Sequence, residues 1–376
     1  MPECDNPLWP CAMTGAAACL AGFDGITVVI HGSSGCYYYP TTLLHAPLHG
    51  TFIMENEVIF GSEDRLCEVV DELAGKGNRI AVITTCVPAI LGEDIRSILE
   101  AYDVLFIDSP GFSGEIESGY RKALSHLSPV VDTSADGVNI DGVCLFDPFY
   151  RGNIQEVSRL LAMASIPAGT VFCCDRRENA FRAAPYTVGT NEDFSSGVGR
   201  HLGGMLGFDA VRRSFEVMGD CFVQSDIVPV ENELTRQEEE TIRVCDKYLR
   251  RFDPPGVVIF AGASYAGFAA RALEKYLDAD IRYIGSRNAP VESRFRSGTV
   301  TALGEAADLI REHEPDLVIG SSFERSLLRG PAFLGITPPL RGNVRLAPVP
   351  LAGINGTLSL VEHALNSCMD QKLPRS

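Results

Sequence analysis

The pattern that decides the fold lies in residues 63–94, E-D-R-L-C-E-V-V-D-E-L-A-G-K-G-N-R-I-A-V-I-T-T-C-V-P-A-I-L-G-E-D. The stretch begins with an amphipathic segment, Glu63–Ala74. Its apolar residues have the i, i+3, i+4, i+7 spacing of one helix face: Leu66, Val69, Val70 and Leu73. A glycine-containing turn follows, and the apolar run Arg79–Thr84 then predicts a buried strand. The strand leads into a loop that carries Cys86.

The same succession of strand, loop and helix recurs along the chain. Further strands are predicted at Ile26–Ile30, Val104–Ile107, Gly142–Phe146, Thr170–Cys173, Val257–Phe260, Ile281–Ile284 and Leu317–Ile319. Further helices are predicted at Ala16–Ala21, Ile154–Ala164, Ala266–Leu277 and Glu305–His313. This alternation is typical of an α/β fold built from doubly wound parallel sheets.

A chain of 376 residues has room for two or three domains. The polar segment 228–255 ends on Asp253-Pro254-Pro255 and predicts a helical connection between domains. A weaker break falls near Phe149–Gly152. We therefore predict three Rossmann-like domains, residues 1–150, 151–253 and 254–376.

Charge and hydropathy exclude several classes of protein. The 32 Lys and Arg residues against 49 Asp and Glu residues give a net charge of −17, which disfavours a nucleic-acid partner. Apolar runs such as Val257–Ala261 are far shorter than the roughly 20 residues that span a bilayer. The first residues lack the basic and apolar regions of a signal peptide. We therefore expect a cytoplasmic protein without a membrane segment.

Common cofactor and hydrolase motifs are missing from the sequence. It contains no G-x-x-x-x-G-K-[ST], so we do not expect this chain to bind ATP itself. It contains no G-x-G-x-x-G after a predicted strand and no G-x-S-x-G. A dinucleotide-dependent enzyme and an α/β-hydrolase are therefore disfavoured.

Twelve cysteines are many for a reducing compartment, where thiols pack as small apolar groups or bind metals. Cys36 and Cys86 follow predicted strands, at the sheet edge where open α/β folds bind ligands. Cys11 precedes a small-residue helix and is free to approach the same edge. We expect core packing for Cys19, Cys67, Cys144, Cys173, Cys174, Cys221, Cys245 and Cys368. No C-x-x-C is present, so any metal site must be assembled from distant loops.

Five segments in order carry a resemblance to a known family: Cys11–Ala16, His31–Cys36, Glu55–Gly61, Cys86–Ile95 and Ser109–Gly114. They read C-A-M-T-G-A, H-G-S-S-G-C, E-N-E-V-I-F-G, C-V-P-A-I-L-G-E-D-I and S-P-G-F-S-G. Together they resemble the nitrogenase component 1 superfamily, which includes nitrogenase and the dark-operative protochlorophyllide and chlorophyllide reductases. The resemblance implies three Rossmann-like domains. It also implies a 4Fe-4S or larger iron–sulfur cluster held by Cys11, Cys36 and Cys86.

Departures from the nitrogenase pattern narrow the resemblance. Residues 188–196 contain no cysteine, and Ala352 stands where nitrogenase α-chains carry a histidine ligand, so dinitrogen reduction is not expected. The stretches C-Y-Y-Y-P (36–40) and L-H-A-P-L-H-G (44–50) are most similar to the methanogen reductive cyclases that act on a nickel tetrapyrrole in coenzyme F-430 biosynthesis. This similarity implies a homodimer with its cluster at the subunit interface. It also implies a separate P-loop iron–sulfur reductase that hydrolyses ATP and supplies the electrons.

Reduction of a tetrapyrrole needs protons as well as electrons. His31, His45, His49 and Glu57 are the candidate acids, because they lie in the predicted cluster-bearing domain. Three alternatives remain: a subunit of a protochlorophyllide-type reductase, a scaffold for nitrogenase cofactor assembly, and a small-molecule-binding α/β protein without a cluster.

Overall fold

The computed structural model describes residues 6–342 and 344–372, so Cys4 lies outside the described residues. The described chain forms three β-sheets in which every pair of neighbouring strands is parallel. The predicted α/β class with doubly wound parallel sheets is therefore confirmed. No helix in this part of the chain combines the length and apolarity needed to cross a bilayer.

The first sheet has the strand order β2-β1-β3-β4. Its strands are β1 (Ile26–His31), β2 (His49–Gly50), β3 (Arg79–Thr84) and β4 (Val104–Asp108). The helices of this region are α1 (Ala12–Leu20), α2 (Ser34–Leu44), α3 (Glu55–Phe60), α4 (Glu63–Leu73), α5 (Cys86–Leu91), α6 (Ile95–Leu99) and α7 (Ile116–Leu127).

Helices α1 and α7 pack with their backbones nearly in contact. A Cβ atom added to Gly15 would lie 1.8 Å from the carbonyl oxygen of Ile116, and one added to Gly119 would lie 1.7 Å from that of Ala12. Only glycine permits such an approach. The contact holds the start of α1, and with it Cys11, against the segment before α7.

The second sheet has the order β6-β5-β7-β8, and the third has the order β11-β10-β9-β12-β13. The second contains β5 (Val138–Asp141), β6 (Ala168–Val171), β7 (Tyr186–Gly189) and β8 (Arg200–Gly204), with helices α8 (Tyr150–Met163) and α9 (Phe208–Cys221). The third contains β9 (Gly256–Ala261), β10 (Asp280–Ser286), β11 (Ser297–Thr299), β12 (Leu317–Gly320) and β13 (Ala332–Gly335). Its region has the helices α10 (Val228–Leu249), α11 (Ala263–Leu277), α12 (Leu303–His313), α13 (Ser322–Arg325) and α14 (Gly353–Lys372).

One predicted strand needs correction. The strand predicted at Gly142–Phe146 lies at Val138–Asp141, because Gly142 has a φ of +75° and ends the extended backbone. This strand pairs with β6 and β7. The second sheet therefore begins with β5, before residue 150.

Buried side chains form continuous cores between the sheets. One core joins residues of the second and third sheets, such as Val138, Val188, Val257 and Leu317. Another joins helix α1 and strands of the first sheet to Phe172 and other residues of the second region. The second region therefore packs against both the first and the third.

Candidate functional site

The cysteine loops meet because β1 and β3 lie in register along their whole length. Ile26 pairs with Arg79 and His31 pairs with Thr84, so both strands end at the same level of the sheet edge. The two loops then touch, since a Cβ atom on Gly32 would lie 1.8 Å from Oγ1 of Thr85. The N–H of Thr85 also donates to the carbonyl of His31 at 3.1 Å.

Each of the three cysteines lies at the start of a helix. Cys11 precedes the first residue of α1, Cys36 is the third residue of α2, and Cys86 is the first residue of α5. All three side chains are half-buried and free of disulfides. Backbone N–H groups at a helix start lack partners within the helix and favour negative charge nearby.

A fourth loop brings Cys11 and Cys86 to one point. The segment around Cys11 pairs with the residues before α7: Ala12 donates to Gly114 at 2.8 Å. Within that loop, the N–H of Gly111 donates to Sγ of Cys86 at 3.2 Å. A Cβ atom on Gly111 would lie 3.0 Å from Sγ of Cys86 and 3.2 Å from Sγ of Cys11. Both sulfur atoms therefore lie against one side of Gly111.

Cys36 belongs to the same group. Burial raises the pKa of its thiol, and the nearby Cys86 and Cys11 add to the rise. The hydroxyl of Ser33 donates to its sulfur at 3.8 Å and acts in the opposite direction. We refer to Cys11, Cys36 and Cys86 as the cysteine site.

The cysteine site fits an iron–sulfur cluster better than a single ion. Within the described ranges, no three His, Cys, Asp or Glu side chains come close enough to enclose one metal ion. Thiolates supplied one by one from separate loops suit a cluster, in which each cysteine binds a different iron atom. The hydroxyls of Thr84 and Ser109, beside these loops, are among the buried polar groups without a hydrogen-bond partner. Such unpaired donors are costly unless a further acceptor, such as sulfur, is present.

His31, one of the candidate acids, is fully buried in a hydrogen-bonded network. Its Nδ1 lies 3.1 Å from Oγ1 of Thr51 and its Nε2 lies 3.0 Å from Oγ of Ser62. Ser62 in turn donates to Glu93 at 2.5 Å. Burial lowers the pKa of His31 to about 4, although Glu93 favours the charged ring. His31 is therefore neutral at physiological pH and links the two cysteine loops to helix α4.

The other three candidate acids have different surroundings. Glu57 accepts a hydrogen bond from the N–H of Met54 at 3.0 Å and so caps helix α3. His49 is exposed on the edge strand β2. His45 is exposed at the end of α2 and lines a cavity at the junction of the three regions. Of the four, only His45 lines this cavity.

The cavity has a volume of about 690 Å³ and is formed by three distant parts of the chain. They are the end of α2, the segment 145–151, and residues 338–341 together with 345–349. Its charged and titratable lining residues are His45, Asp147, Tyr150, Arg151, Arg341 and Arg345. Leucine, proline and phenylalanine side chains supply most of the remaining wall. We refer to it as the arginine-lined cavity.

No periodicity or motif in the sequence identifies these arginines as cavity residues. Arg341 and Arg345 lie in an irregular segment without helix or strand periodicity, and Arg151 lies in the first turn of α8. The one available signal was chemical: two arginines between prolines, in P-P-L-R-G-N-V-R-L-A-P-V-P (338–350), within an acidic chain.

An apolar surface surrounds the cysteine site. Large apolar side chains are exposed on helices and loops of the first region: Tyr38, Tyr39, Met54, Val58, Ile59, Phe60, Ile90, Leu91 and Phe112. Phe60 is 85% exposed and Ile59 is 70% exposed. A patch of this kind on a folded protein marks an interaction surface. We refer to these residues as the apolar patch.

Comparison with known proteins relates the chain to one family. Residues 11–190 match the family model "Nitrogenase component 1 type Oxidoreductase". The chain is 29% identical to the nitrogenase molybdenum-iron protein beta chain of Frankia alni over 189 residues, 43% of this chain and 36% of that protein. It is 22% identical to the nitrogenase iron-molybdenum cofactor biosynthesis protein NifE of Clostridium pasteurianum over 360 residues, 84% of this chain and 79% of that protein.

The fold similarity extends over nearly the whole chain. The solved structure "Nitrogenase Cp1 at pH 6.5" superposes with a TM-score of 0.82 at 16% identity, covering 98% of this chain and 93% of that one. The sequence match to nitrogenase beta chains, in contrast, spans about a third of their length. The first half of the chain is thus related to nitrogenase component 1 in sequence, and the whole chain shares its fold.

The buried His31 makes stability depend on pH. Its pKa is lower in the folded chain than in the unfolded chain, so below its ordinary value of 6.5 the unfolded chain binds a proton that the folded chain does not. The free energy of unfolding should therefore fall by roughly 1.4 kcal/mol per pH unit towards pH 4 from this group alone. Urea unfolding of wild type and His31→Asn across this range measures the effect. The stability gap between them should narrow as the pH falls, and a constant gap would contradict the assignment.

Exchange of a cysteine-site thiol for a hydroxyl should empty the site. In Cys86→Ser the hard, poorly ionised hydroxyl is a weak iron ligand, so anaerobically purified protein should lose most of its iron and sulfide. The fold should persist, because the residue is only half-buried. Cys245→Ser is the matched control, since Cys245 is buried in α10 and a helical serine can bond its own backbone. Iron analysis and electron paramagnetic resonance measure the difference. Equal iron content in both variants would contradict the assignment of Cys86 to the cysteine site and of Cys245 to the core.

Proposed function

With residues 11–190 matching nitrogenase component 1 and the whole chain sharing its fold, we propose that this protein is a nitrogenase-like oxidoreductase of tetrapyrrole metabolism. Specifically, we propose the catalytic component (component D) of Ni-sirohydrochlorin a,c-diamide reductive cyclase. That enzyme reduces the ring double bonds of a nickel tetrapyrrole and forms a lactam ring, in the cytoplasmic biosynthesis of coenzyme F-430. The observation that carries the proposal is the arginine-lined cavity.

The cavity matches the chemistry of a tetrapyrrole with carboxylate side chains. Its volume of about 690 Å³ lies within the range of cofactor-sized pockets. The apolar wall suits the faces of a macrocycle. Three arginines are suited to carboxylates, because a guanidinium can bind both carboxylate oxygens at once. In a chain with a net charge of −17, three arginines around one cavity form a local site for an anion.

The cysteine site accounts for the electrons. Cys11, Cys36 and Cys86 would hold an iron–sulfur cluster, which would provide single electrons at low potential. The protein surrounds these thiols with the N–H of Gly111 and the first turns of three helices, which stabilise negative charge on sulfur. This chain has no P-loop sequence. The proposal therefore includes a separate P-loop iron–sulfur reductase that hydrolyses ATP.

The apolar patch supports a homodimer. A second copy of the chain would cover the exposed side chains of α2, α3 and α5, and a two-fold axis would bring two cysteine sites together. The cluster would then be shielded from water at the interface. The number of clusters per dimer is left open by this proposal.

The alignment with NifE favours one further candidate. It extends over 84% of this chain, about twice the 43% covered by the alignment with the Frankia alni beta chain. A cofactor-assembly protein would use the same cavity for a metal cluster that it later transfers. Binding of a tetrapyrrole and its multiple turnover distinguish the enzyme from such a scaffold.

Loss of one cavity arginine should weaken tetrapyrrole binding. For Arg341→Gln we expect the dissociation constant of Ni-sirohydrochlorin a,c-diamide to rise roughly tenfold, since a charged hydrogen bond contributes about 1.5 kcal/mol. The measurement is an anaerobic absorption titration. Arg236→Gln, on an exposed part of α10, is the control and should bind like wild type. The cavity assignment would be contradicted if the wild-type protein does not bind the tetrapyrrole, or if Arg341→Gln binds it with the same affinity as wild type.

A charge in the apolar patch should separate the subunits. Phe60→Asp replaces the most exposed apolar side chain of α3 with a carboxylate, and burial of that charge against a second copy would be costly. Sedimentation should then shift from dimer to monomer with little change in Tm. Val223→Asp, at a similarly exposed apolar residue outside the patch, should leave the dimer intact. A wild-type protein that sediments as a monomer with full iron content would refute the interface.

A further inference from the structure

A buried carboxyl group lies in the wall of the arginine-lined cavity. Asp147 is 3% exposed and is placed in the turn that leads from β5 to α8. Its Oδ1 accepts the N–H of Phe149 at 2.9 Å, and its Oδ2 accepts the hydroxyl of Tyr265 at 2.5 Å. Neither the cysteine site nor the arginines account for this acid, and sequence reasoning did not single it out.

Neighbouring hydrogen bonds fix the direction of the Tyr265 hydroxyl. Oδ1 of Asn153 accepts the N–H groups of Leu351 and Ala352 at 2.8 and 2.9 Å. This orients the side-chain amide, so that its NH₂ group donates to the hydroxyl oxygen of Tyr265 at 2.9 Å. The proton of Tyr265 must therefore point to Asp147. The result is an ordered chain of donors that ends on a single carboxyl group beside the cavity.

Resting on the proposed function, we infer that Asp147 is a catalytic residue that donates protons to the ligand reduced in the cavity. Reduction of one ring double bond consumes two electrons, which the iron–sulfur reductase supplies, and two protons. For each proton delivered, the O–H bond of Asp147 breaks and a C–H or N–H bond forms on the macrocycle. The carboxylate that remains accepts hydrogen bonds from Tyr265 and Phe149, and solvent in the cavity returns the proton to it.

The charges around Asp147 suit this role. Burial raises the pKa of its carboxyl to about 6. The hydroxyl of Tyr265, the N–H of Phe149 and the guanidinium of Arg345 favour the carboxylate, whereas Asp193 opposes it. Arg345 lies over the ring of Phe149, 4.2 Å from its centroid. The neighbouring Cys144 is fully buried, and its pKa is raised well above its ordinary value, so it remains a neutral thiol. An acid in this range can both give and regain a proton near neutral pH.

A smaller space lies beside Asp147. It measures about 20 Å³ and is lined by Trp9, Asp193 and Tyr265, among others. This is room for one water molecule beside the carboxyl group. Burial raises the pKa of Asp193 to about 6 as well. The two carboxyl groups therefore have similar pKa values, which suits proton exchange between them through such a water.

Two substitutions test the role of Asp147. In Asp147→Asn the amide retains the size of the side chain but has no acidic proton. Turnover with the reductase and ATP should fall about 100-fold or more, while the tetrapyrrole dissociation constant stays within about twofold in the absorption titration, because the arginines are unchanged. Asp136→Asn, at an exposed residue, is the control and should retain wild-type turnover.

Tyr265→Phe keeps the carboxyl group and removes one of its donors. Wild-type turnover should fall as the pH rises through the pKa of Asp147, because the donor must be protonated. Without the hydroxyl of Tyr265 the carboxylate is less stable and the pKa of Asp147 is higher. The fall in turnover, which is the alkaline limb of the pH–turnover profile, should therefore move to higher pH. A merely structural role of Tyr265 would lower turnover at every pH without moving the limb. The infrared carbonyl band of the protonated carboxyl should show the same shift and be missing in Asp147→Asn.

The outcomes separate the two proposals. The role of Asp147 is overturned if Asp147→Asn has wild-type turnover. It is also overturned if Tyr265→Phe changes neither the alkaline limb of the pH–turnover profile nor the pH dependence of the carbonyl band. Either result leaves the proposed function standing. A wild-type protein that does not bind the tetrapyrrole overturns the proposed function and, with it, this role. Tetrapyrrole binding with lost turnover in Asp147→Asn and a raised limb in Tyr265→Phe supports both.

Discussion

The site depends on the parallel register of β1 with β3. Because the two strands end level with each other, the loops that follow them leave the sheet side by side, and the close contact of Gly32 with Thr85 leaves no space between them. Helices α1 and α7 add the third loop through the glycine contacts that hold Cys11 beside Gly111. A shift of one residue in this register would turn each side chain to the opposite face of the sheet and separate the thiols.

The chain keeps its two kinds of chemistry in different places. The thiols lie at the edge of the first sheet, under the apolar patch, where a second subunit would exclude water. The arginines and Asp147 lie where three regions of the chain meet, at a cavity open to a cofactor-sized ligand. This separation suits a reaction in which electrons and protons arrive by different routes.

Much of the fold could be predicted from the sequence, because the periodicity of long buried elements is strong. The strand Arg79–Thr84 lies where predicted, and helix Glu63–Leu73 ends one residue earlier than predicted. Short strands escaped prediction. Strands β8 and β13 have five and four residues, contain glycine and have no β-branched residue, so they lack the runs that signal a strand. The Gly142–Phe146 prediction failed because a positive φ at glycine is not visible in an apolar run.

The sequence by itself determined the α/β class, and it predicts that Cys36 and Cys86 emerge at one edge, because both follow strands of a parallel sheet. Only the tertiary structure decided which acids and bases face a ligand. His31 and His45 are similar candidates in sequence, yet one is enclosed by Thr51 and Ser62 and the other lines the cavity. Asp147 and Arg345 are far apart along the chain and lie in irregular segments without periodicity. Their meeting results from packing between distant regions, which no local pattern of residues encodes.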